Sequence, residues 1–599
     1  MKLKLKETPI DSISLPPKEK EMVDFRKWFL ALAMVLLTVA TASAQGPAFA
    51  CTASAGVPPL LRAEGLTELT GDIVLNCTGG DAAVPVIANF QVFLNTNMTS
   101  RLIADPYLEA MLMVDEPAPS AQILGTNIYA GRKVGDNSVA WLGVPVIPPG
   151  SVGTRVIRMT GIRANANQLG VASGLIPTQV FAFVSISGST SVPLNNPQQT
   201  VGFIQNGLAF AVRDSGGDSL SQDERTLRQC VNSAVDIADD SNSSTTYSPL
   251  IRLRYTENFA TAFKLRQAVG NQAAPGVIYN TESGYINPAL GGVPPTGALA
   301  TFQNGGLADN GTRLLARFTN VPTGVKVFVS VAPVGTTGGN NAVYVTNDPN
   351  GVGGSVLAPP PATAVGTPRT YIEVPVFGGT ATAVWEITAA DPLQIGRLDF
   401  GVIFAHRQNV ANNLPGVGNA SVNGNFAAIS SVGTSNLQSP IPRFADVSTA
   451  ITALELIACR TSLLFPFVTN QAGFDTGMVI SNTSRDPFGT PNQSGTCTLN
   501  YYGNTNGGAA PPAQTSNAVP AGEHLAATLS GGGNFGVTAT PGFQGYIIAV
   551  CQFGYAHGFA FISDVGAQRL AQGYVALVLQ GGLSRSNTIR IGSSESLGM

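Results

Sequence analysis

Histidine, the side chain that acts most often as a general acid or base, is scarce in this chain. It occurs only at His406, His524 and His557. His557 lies between Tyr555 and Phe559, where it could serve as a ligand or a base. The simpler interpretation is a polar residue at a strand bend with a local hydrogen bond. With no G-x-S-x-G motif present, we predict no catalytic residue.

Two glycine-containing segments resemble catalytic motifs only in part. Asp214-Ser215-Gly216-Gly217 matches the serine-protease sequence G-D-S-G-G, but Arg213 precedes it and every histidine follows it. That order does not fit the serine-protease triad, so we expect a turn. Gly531-Gly532-Gly533 lacks the lysine of a phosphate-binding loop. The enzymatic alternative that stays open is a carboxylate pair assembled in three dimensions, as in glycosidases.

The cysteines are even in number, which in an exported chain favours disulfides over metal ligands. They are Cys51, Cys77, Cys230, Cys459, Cys497 and Cys551. No C-x-x-C motif is present and histidines are few, so we predict neither a metal site nor a cofactor. Spacing alone does not determine the pairing. The preferred pairs are Cys51–Cys77 and Cys497–Cys551, and Cys230–Cys459 is what remains.

One pair of adjacent tyrosines is a weak binding candidate. Tyr501 and Tyr502 precede Gly503-Asn504, and aromatic rings of this kind can form a platform for a sugar. The alternative is that one tyrosine packs in the core or at a sheet edge.

The N-terminus carries the pattern of a secretory signal peptide. Arg26 and Lys27 precede an apolar run, 28–37, and small residues follow as far as Ala44. The run is short for a membrane span, which needs about 20 residues, although an uncleaved anchor is the alternative. Residues 1–44 are therefore predicted to be the signal peptide, with Met22 as an alternative start. The resulting location is extracellular, at the cell surface or in the periplasm.

Composition excludes several classes of function. Charged residues make up 12% of the chain, compared with ~25% in an average soluble protein. After residue 44, lysine occurs only at Lys133, Lys264 and Lys326, so we expect no nucleic-acid partner. A second long apolar run does not follow, so we predict no integral membrane domain.

Short apolar runs separated by glycine, proline and asparagine predict an all-β fold of tandem sandwiches. In 87–94, for example, Phe90, Val92 and Leu94 share one face by period two. We predict domains at 45–220, 246–452 and 453–599. An acidic and polar linker, 221–245, with a short helix from Glu224 to Asp236 would join the first two.

Both ends of the chain resemble known sequences. The segments at 463–470, 495–503 and 555–564 read LLFPFVTN, GTCTLNYYG and YAHGFAFISD. They resemble the C-terminal module (459–580 here) of uncharacterised secreted, multidomain, β-rich proteins of soil bacteria. The segment 51–77, with LRAEGLTEL at 61–69, resembles their first module. The resemblance implies export and a β-rich fold, and it implies no activity.

The sequence is therefore compatible with three functions. The first is a structural or adhesive cell-surface protein without catalysis, which would self-associate or hold surface polymers. The second is a glycan- or polymer-binding protein, which an exposed aromatic strip beside Tyr501 would favour. The third is an exported hydrolase, which would need a pocket with two convergent acids.

Overall fold

The computed structural model describes residues 48–172, 176–229, 250–268, 272–292, 302, 305–356, 364–365, 371–406, 415–487, 492–567 and 569–579. The predicted signal peptide, Cys230 and most of the predicted linker lie outside these residues. Within them the protein is all-β. Its helical structure is one α-helical turn, Gln222–Arg225 (α1), and a 3₁₀ turn, Pro119–Ala121.

The first unit contains 15 strands, of which 13 belong to one large sheet that packs around a single apolar core. Its strands are β1 Ala50–Ala55, β2 Leu60–Arg62, β3 Glu68–Leu69, β4 Ile73–Gly79, β5 Val86–Leu94, β6 Leu102–Ala104, β7 Tyr107–Val114, β8 Ile123–Leu124, β9 Ile128–Gly135, β10 Ser138–Val146, β11 Gly150–Thr160, β12 Arg163–Ala164, β13 Thr178–Gly188, β14 Leu194–Asn195 and β15 Gln198–Gln205. The main path runs β14-β1-β4-β11-β7-β9-β10-β5-β13-β15-β2, while β3 and β12 pair separately. Alternate residues of β4, β5 and β13 enter a single apolar cluster, as period two requires.

The second unit is a sandwich of two sheets. Its strands are β16 Leu208–Asp214, β17 Thr226–Arg228, β18 Ile251–Glu257, β19 Gly291–Gly292, β20 Arg313–Thr319, β21 Lys326–Ser330, β22 Gly335–Thr337, β23 Asn341–Thr346, β24 Ala364–Val365, β25 Tyr371–Val374, β26 Ala381–Ala389, β27 Arg397–Ala405, β28 Gly418–Ala427 and β29 Ile451–Ile457. One sheet follows β16-β18-β27-β21-β25-β24, with β22 on β27, and the other follows β17-β29-β28-β20-β26-β23. Trp385 and Phe400 stack at 4.1 Å where the sheets face each other.

The third unit is a smaller sandwich with a separate core. Its strands are β30 Thr461–Thr469, β31 Asp475–Asn482, β32 Cys497–Thr505, β33 Gly508–Ala509, β34 Gln514–Thr515, β35 His524–Thr528, β36 Gly532–Gly533, β37 Phe543–Cys551, β38 Ala556–Ser563, β39 Ala571–Val575 and β40 Leu577–Leu579. One sheet is β33-β32-β37-β30-β40, with β34 on β32, and the other is β36-β35-β31-β38-β39. The chain crosses between the sheets at the buried Ala576, so β39 and β40 close one side of the sandwich.

Two boundaries differ from those expected at 220 and 245. Strand β16, expected in the first domain, pairs with β18 and so belongs to the second unit. Strand β17 lies inside the predicted linker and pairs in parallel with β29. Of the helix expected from Glu224 to Asp236, the described residues form a single turn that ends at Arg225 and is followed by β17, and 230–236 lie outside the described residues. Local sequence predicts that a strand forms, but the choice of sheet depends on partners far along the chain.

The first and second units are joined by a segment of the second that packs on the first. Tyr285, Leu290 and Phe302 bury against Met111 and Met113 of β7. In the same region β19 pairs with β8, so a strand of the second unit extends the sheet of the first. The predicted tandem units are therefore not equally independent, because the first two share a buried interface.

Candidate functional site

Two carboxylates converge at the junction of the first and second units. Glu68 and Glu282 form ion pairs with Arg62 at 2.7 and 2.8 Å, and all three side chains are no more than 2% exposed. A glycosidase pair has to face its substrate. These carboxylates are closed to solvent and bound to a cation, so the geometry indicates an ion-pair network that supports the fold.

The junction network extends beyond the arginine. The Arg62 guanidinium lies 4.7 Å from the centre of the Phe444 ring, and the Lys264 ammonium lies 3.7 Å from Glu68. Burial by itself would raise the pKa of Glu68, but attraction to Arg62 and Lys264 lowers it overall. Because Arg62 and Glu68 come from the first unit, and Lys264 and Glu282 from the second, these charges connect the two units.

The segment Asp214-Ser215-Gly216-Gly217 forms a turn. The Asp214 carboxylate accepts hydrogen bonds from the backbone N–H groups of Gly217 and Asp218 at 2.7 and 2.8 Å. Gly217 has a φ of 99°, which glycine adopts without strain. Oδ1 of Asp214 accepts both bonds and thus holds the loop, which forms the expected turn.

The histidines of the third unit lie on one exposed face of a sheet. His557 Nδ1 shares a hydrogen bond of 3.0 Å with the Thr483 hydroxyl, 74 residues earlier in the chain, and His557 lies within strand β38. On the neighbouring strands His524 Nδ1 and the Ser481 hydroxyl are also 3.0 Å apart, a contact that the sequence did not reveal. Catalytic nucleophiles need a base held in a cleft that excludes water, and His524 is exposed to solvent.

The first unit and the third unit each contain a disulfide between neighbouring strands. Cys51 pairs with Cys77 and Cys497 pairs with Cys551, which are the two pairs preferred on sequence. Each joins directly opposed positions on neighbouring strands. Cys459 is also disulfide-bonded, whereas the Cys230 end of the remaining pair lies outside the described residues. Disulfides persist in oxidising compartments, which indicates an exported chain.

The structure separates the roles of the two tyrosine candidates. Tyr501 is buried, packs edge-on against Phe543 at 5.3 Å, and burial raises its pKa to about 12. Tyr502 points outward and stacks on Tyr546, with ring centres 4.9 Å apart and planes inclined by 14°. The two stacked rings are 44% and 41% exposed. One tyrosine is thus a core residue, and its neighbour belongs to an aromatic surface.

A β-bulge adds a third ring to this surface. Between Phe465 and Val468, strand β30 shifts register against β37, so that Pro466 and Phe467 both point outward opposite Tyr546. Proline is tolerated there because a bulge does not need its missing N–H. The Tyr574 hydroxyl donates to the Phe467 carbonyl and fixes the bulge. We call Tyr502, Tyr546 and Phe467 the aromatic strip.

The aromatic strip lies on a neutral sheet. Strands β30, β32 and β37 read TSLLFPFVT, CTLNYYGNT and FQGYIIAVC, with no charged residue. Exposed aromatic side chains are also concentrated in this unit: Phe183 and Phe377 lie in the first two units, and Phe467, Tyr502, Tyr546, Phe559 and Phe561 in the third. Contact with a partner here would rest on stacking and hydrogen bonds, with charge playing no part.

Sequence reasoning found Tyr502 but missed its two partners. Tyr546 becomes adjacent to Tyr502 only through the register of β32 and β37, and Phe467 faces outward only because of the bulge. A strict period-two reading of β30 would place Phe467 inside with Phe465. The available signal was Pro466, since proline within a strand marks an edge or a bulge.

In the part of the chain that the structure describes, no group of three or more histidine, cysteine, aspartate or glutamate side chains could hold a metal ion. Over the same residues, no helix is long and apolar enough to cross a membrane.

Fold and surface together define an all-β chain of sandwich units with an aromatic face on the third. No family model and no curated protein matches the sequence. One solved structure similar to it is the serine-rich repeat adhesion glycoprotein Srr1 of Streptococcus agalactiae. The two chains share 8% identity, the match covers 68% of this chain and 98% of Srr1, and the TM-score is 0.17.

Two pilus proteins are also similar. The major pilin subunit BcpA of Bacillus cereus shares 9% identity over 88% of this chain and 95% of its own, with a TM-score of 0.17. The RrgB pilus protein of Streptococcus pneumoniae shares 7% identity over 89% of this chain and 68% of its own, with a TM-score of 0.16. TM-scores of this size do not establish a common fold, so the function is argued from the site alone.

Proposed function

We propose that this chain is an exported, non-catalytic adhesive protein of the cell surface that holds extracellular polymers with the aromatic strip of its third unit. The observation that carries the proposal is the exposed stack of Tyr502 and Tyr546 on an uncharged sheet. Tyrosine is enriched among the residues that contribute most of the binding free energy at interfaces, because its ring offers a large, rigid contact area.

In this role the first two units form a stable support that carries the third unit. Their shared interface buries apolar residues as well as the Arg62 network, so they resist separation. Disulfides in the first and third units suit a protein that works outside the cell, where few chaperones act and thiols are oxidised.

Assembly by strand pairing is less well supported than ligand contact. A strand that templates a neighbour has to be long, flat and uncovered. In the described sheets the edge strands are two to seven residues long. Of the two longest, β16 makes a bridge from Arg213 to Ser219 beyond its end, and β23 carries register shifts against β26.

The test is co-sedimentation of purified residues 45–599 with insoluble matrix material from cells that make the protein. We expect the wild-type chain to sediment and the variant Tyr502→Ser with Tyr546→Ser to bind at least about tenfold more weakly, a loss of ~1.4 kcal/mol. The matched control is Phe561→Ser, because Phe561 is 47% exposed on the opposite sheet. Equal losses in strip and control variants would refute the proposal.

A further inference from the structure

A cleft opens at the end of the third sandwich, beside the aromatic strip. Its volume is about 430 Å³, and its walls are the turn between β30 and β31 together with the start of β39. We call it the end cleft. The lining side chains that matter here are Phe467, Phe474, Thr469, Gln471, Gln544 and Gln572. Clefts of 300–1,000 Å³ with a few polar groups among apolar ones are typical ligand sites.

The chemistry of the lining is polar but uncharged. The remaining lining residues are alanine, isoleucine and leucine, so among the described residues no acidic or basic side chain lines the cleft. Each glutamine amide offers an acceptor oxygen and a donor nitrogen side by side. Phe467 and Phe474 supply apolar ring surfaces next to these amides.

One of the amides is already held in place. Gln471 donates through Nε2 to the Asn504 side-chain oxygen at 3.1 Å and to the Gly542 carbonyl at 2.8 Å. Its backbone N–H donates to the Thr469 hydroxyl at 3.2 Å. The two side-chain bonds use the nitrogen of the Gln471 amide and leave its oxygen as a fixed acceptor at the cleft. A fixed acceptor costs a ligand little ordering entropy.

We infer that the end cleft binds one sugar unit of a neutral glycan. Adjacent hydroxyl groups can donate to and accept from one amide at the same time, while the apolar face of a sugar ring lies on an aromatic ring. An anionic ligand would find no cation in the lining. A purely apolar ligand would bury the glutamine amides without partners, which costs free energy.

The end cleft and the aromatic strip form one continuous surface. Phe467 belongs to both, and Gln544 lies two residues before Tyr546 on the outward side of β37. Thr469 pairs with Gln544 and Gln544 with Asn504, so a polar row runs beside the row of rings. A glycan with one unit in the cleft would continue across Phe467 onto Tyr546 and Tyr502. The inference therefore rests on the proposed function and names its ligand class.

The test is binding of purified residues 45–599 to an array of neutral oligosaccharides (glucans, mannans, galactans and chitin fragments) and of uronic-acid and sialylated ones. We expect neutral ligands to bind, with affinity that changes little between low and high salt because no charge takes part. Gln544→Ala with Gln572→Ala should weaken binding by about tenfold or more, while the exposed Gln552→Ala should not. Thermal unfolding checks that each variant is folded.

Two results would overturn the inference: binding confined to acidic glycans, or neutral binding that the cleft variant leaves unchanged. Failure here is distinguishable from failure of the proposed function. If matrix co-sedimentation depends on Tyr502 and Tyr546 but no neutral glycan binds, the cleft inference falls and the adhesive role stands. If neither assay shows binding, both fall.

Discussion

Arg62 is the residue on which the junction of the first two units depends most. Removing its charge would take the ion pair from the buried Glu282 and leave the buried Glu68 with the more distant Lys264 ammonium, 3.7 Å away; breaking a buried ion pair in this way typically costs ~3–5 kcal/mol. We expect Arg62→Met to lower the free energy of unfolding by that amount in urea titration. Arg155→Met is the matched control, because its ion pair with Asp115 is 30% and 37% exposed and should be worth ~0–1 kcal/mol. Similar losses in both variants would contradict the network.

Glu68 should give the junction a characteristic response to acid. Its pKa is lowered in the folded state, so its ion pairs contribute fully above about pH 4.5, where a free glutamate is ionised, and are lost as pH falls through the lowered value. We therefore expect Glu68→Gln to be less stable at pH 7, with a shallower loss of stability between pH 5 and 2.

The comparison for Glu68 has to be made between variant and wild type. Burial raises the pKa of Glu64 and Glu257, and a raised carboxyl pKa favours the folded state on acidification, which is the opposite slope. The free energy of unfolding of each protein is measured by urea titration at a series of pH values, and the difference between the two proteins gives the contribution of Glu68. Parallel curves for the two proteins would show that Glu68 is not held as an ion.

At the scale of elements, strands β32 and β37 carry two of the three rings of the aromatic strip and also a disulfide. The Cys497–Cys551 disulfide closes a separation of 54 residues, for which the chain-entropy model gives about 4 kcal/mol. We expect Cys497→Ala with Cys551→Ala to lower the melting temperature of the third unit, measured by calorimetry, and to leave the other units unchanged. A loss spread over the whole chain would contradict the separate core.

Strands were largely predictable from sequence, and their partners were not. The alternation in 87–94 predicts β5 and its inward face correctly, because that signal is local. The assignment of β16 to the second sandwich and the meeting of Tyr502 with Tyr546 depend on pairing between distant segments. The outward Phe467 depends on a bulge. The closed Arg62 network depends on hydrogen-bonding groups 200 or more residues apart, which no local pattern reveals.

At the scale of the whole molecule, two unfolding units are expected from three sandwich units. The first and second share the Arg62 network and the packing of Tyr285 on Met111, whereas the third has its own cluster. Calorimetry of residues 45–599 should show two transitions. Arg62→Met should lower only one of them, and the disulfide variant only the other. Three transitions, with the first two units melting apart, would contradict this account.

The central claim is that the third unit makes the adhesive contact through Tyr502 and Tyr546. The most direct measurement is retention under flow of cells that display either the wild-type chain or the Tyr502→Ser, Tyr546→Ser variant, with surface amounts matched by antibody labelling. The account predicts strong retention of wild-type cells and loss of retention with the variant. Equal retention of both, or antibody labelling only after the cells are broken open, would contradict it.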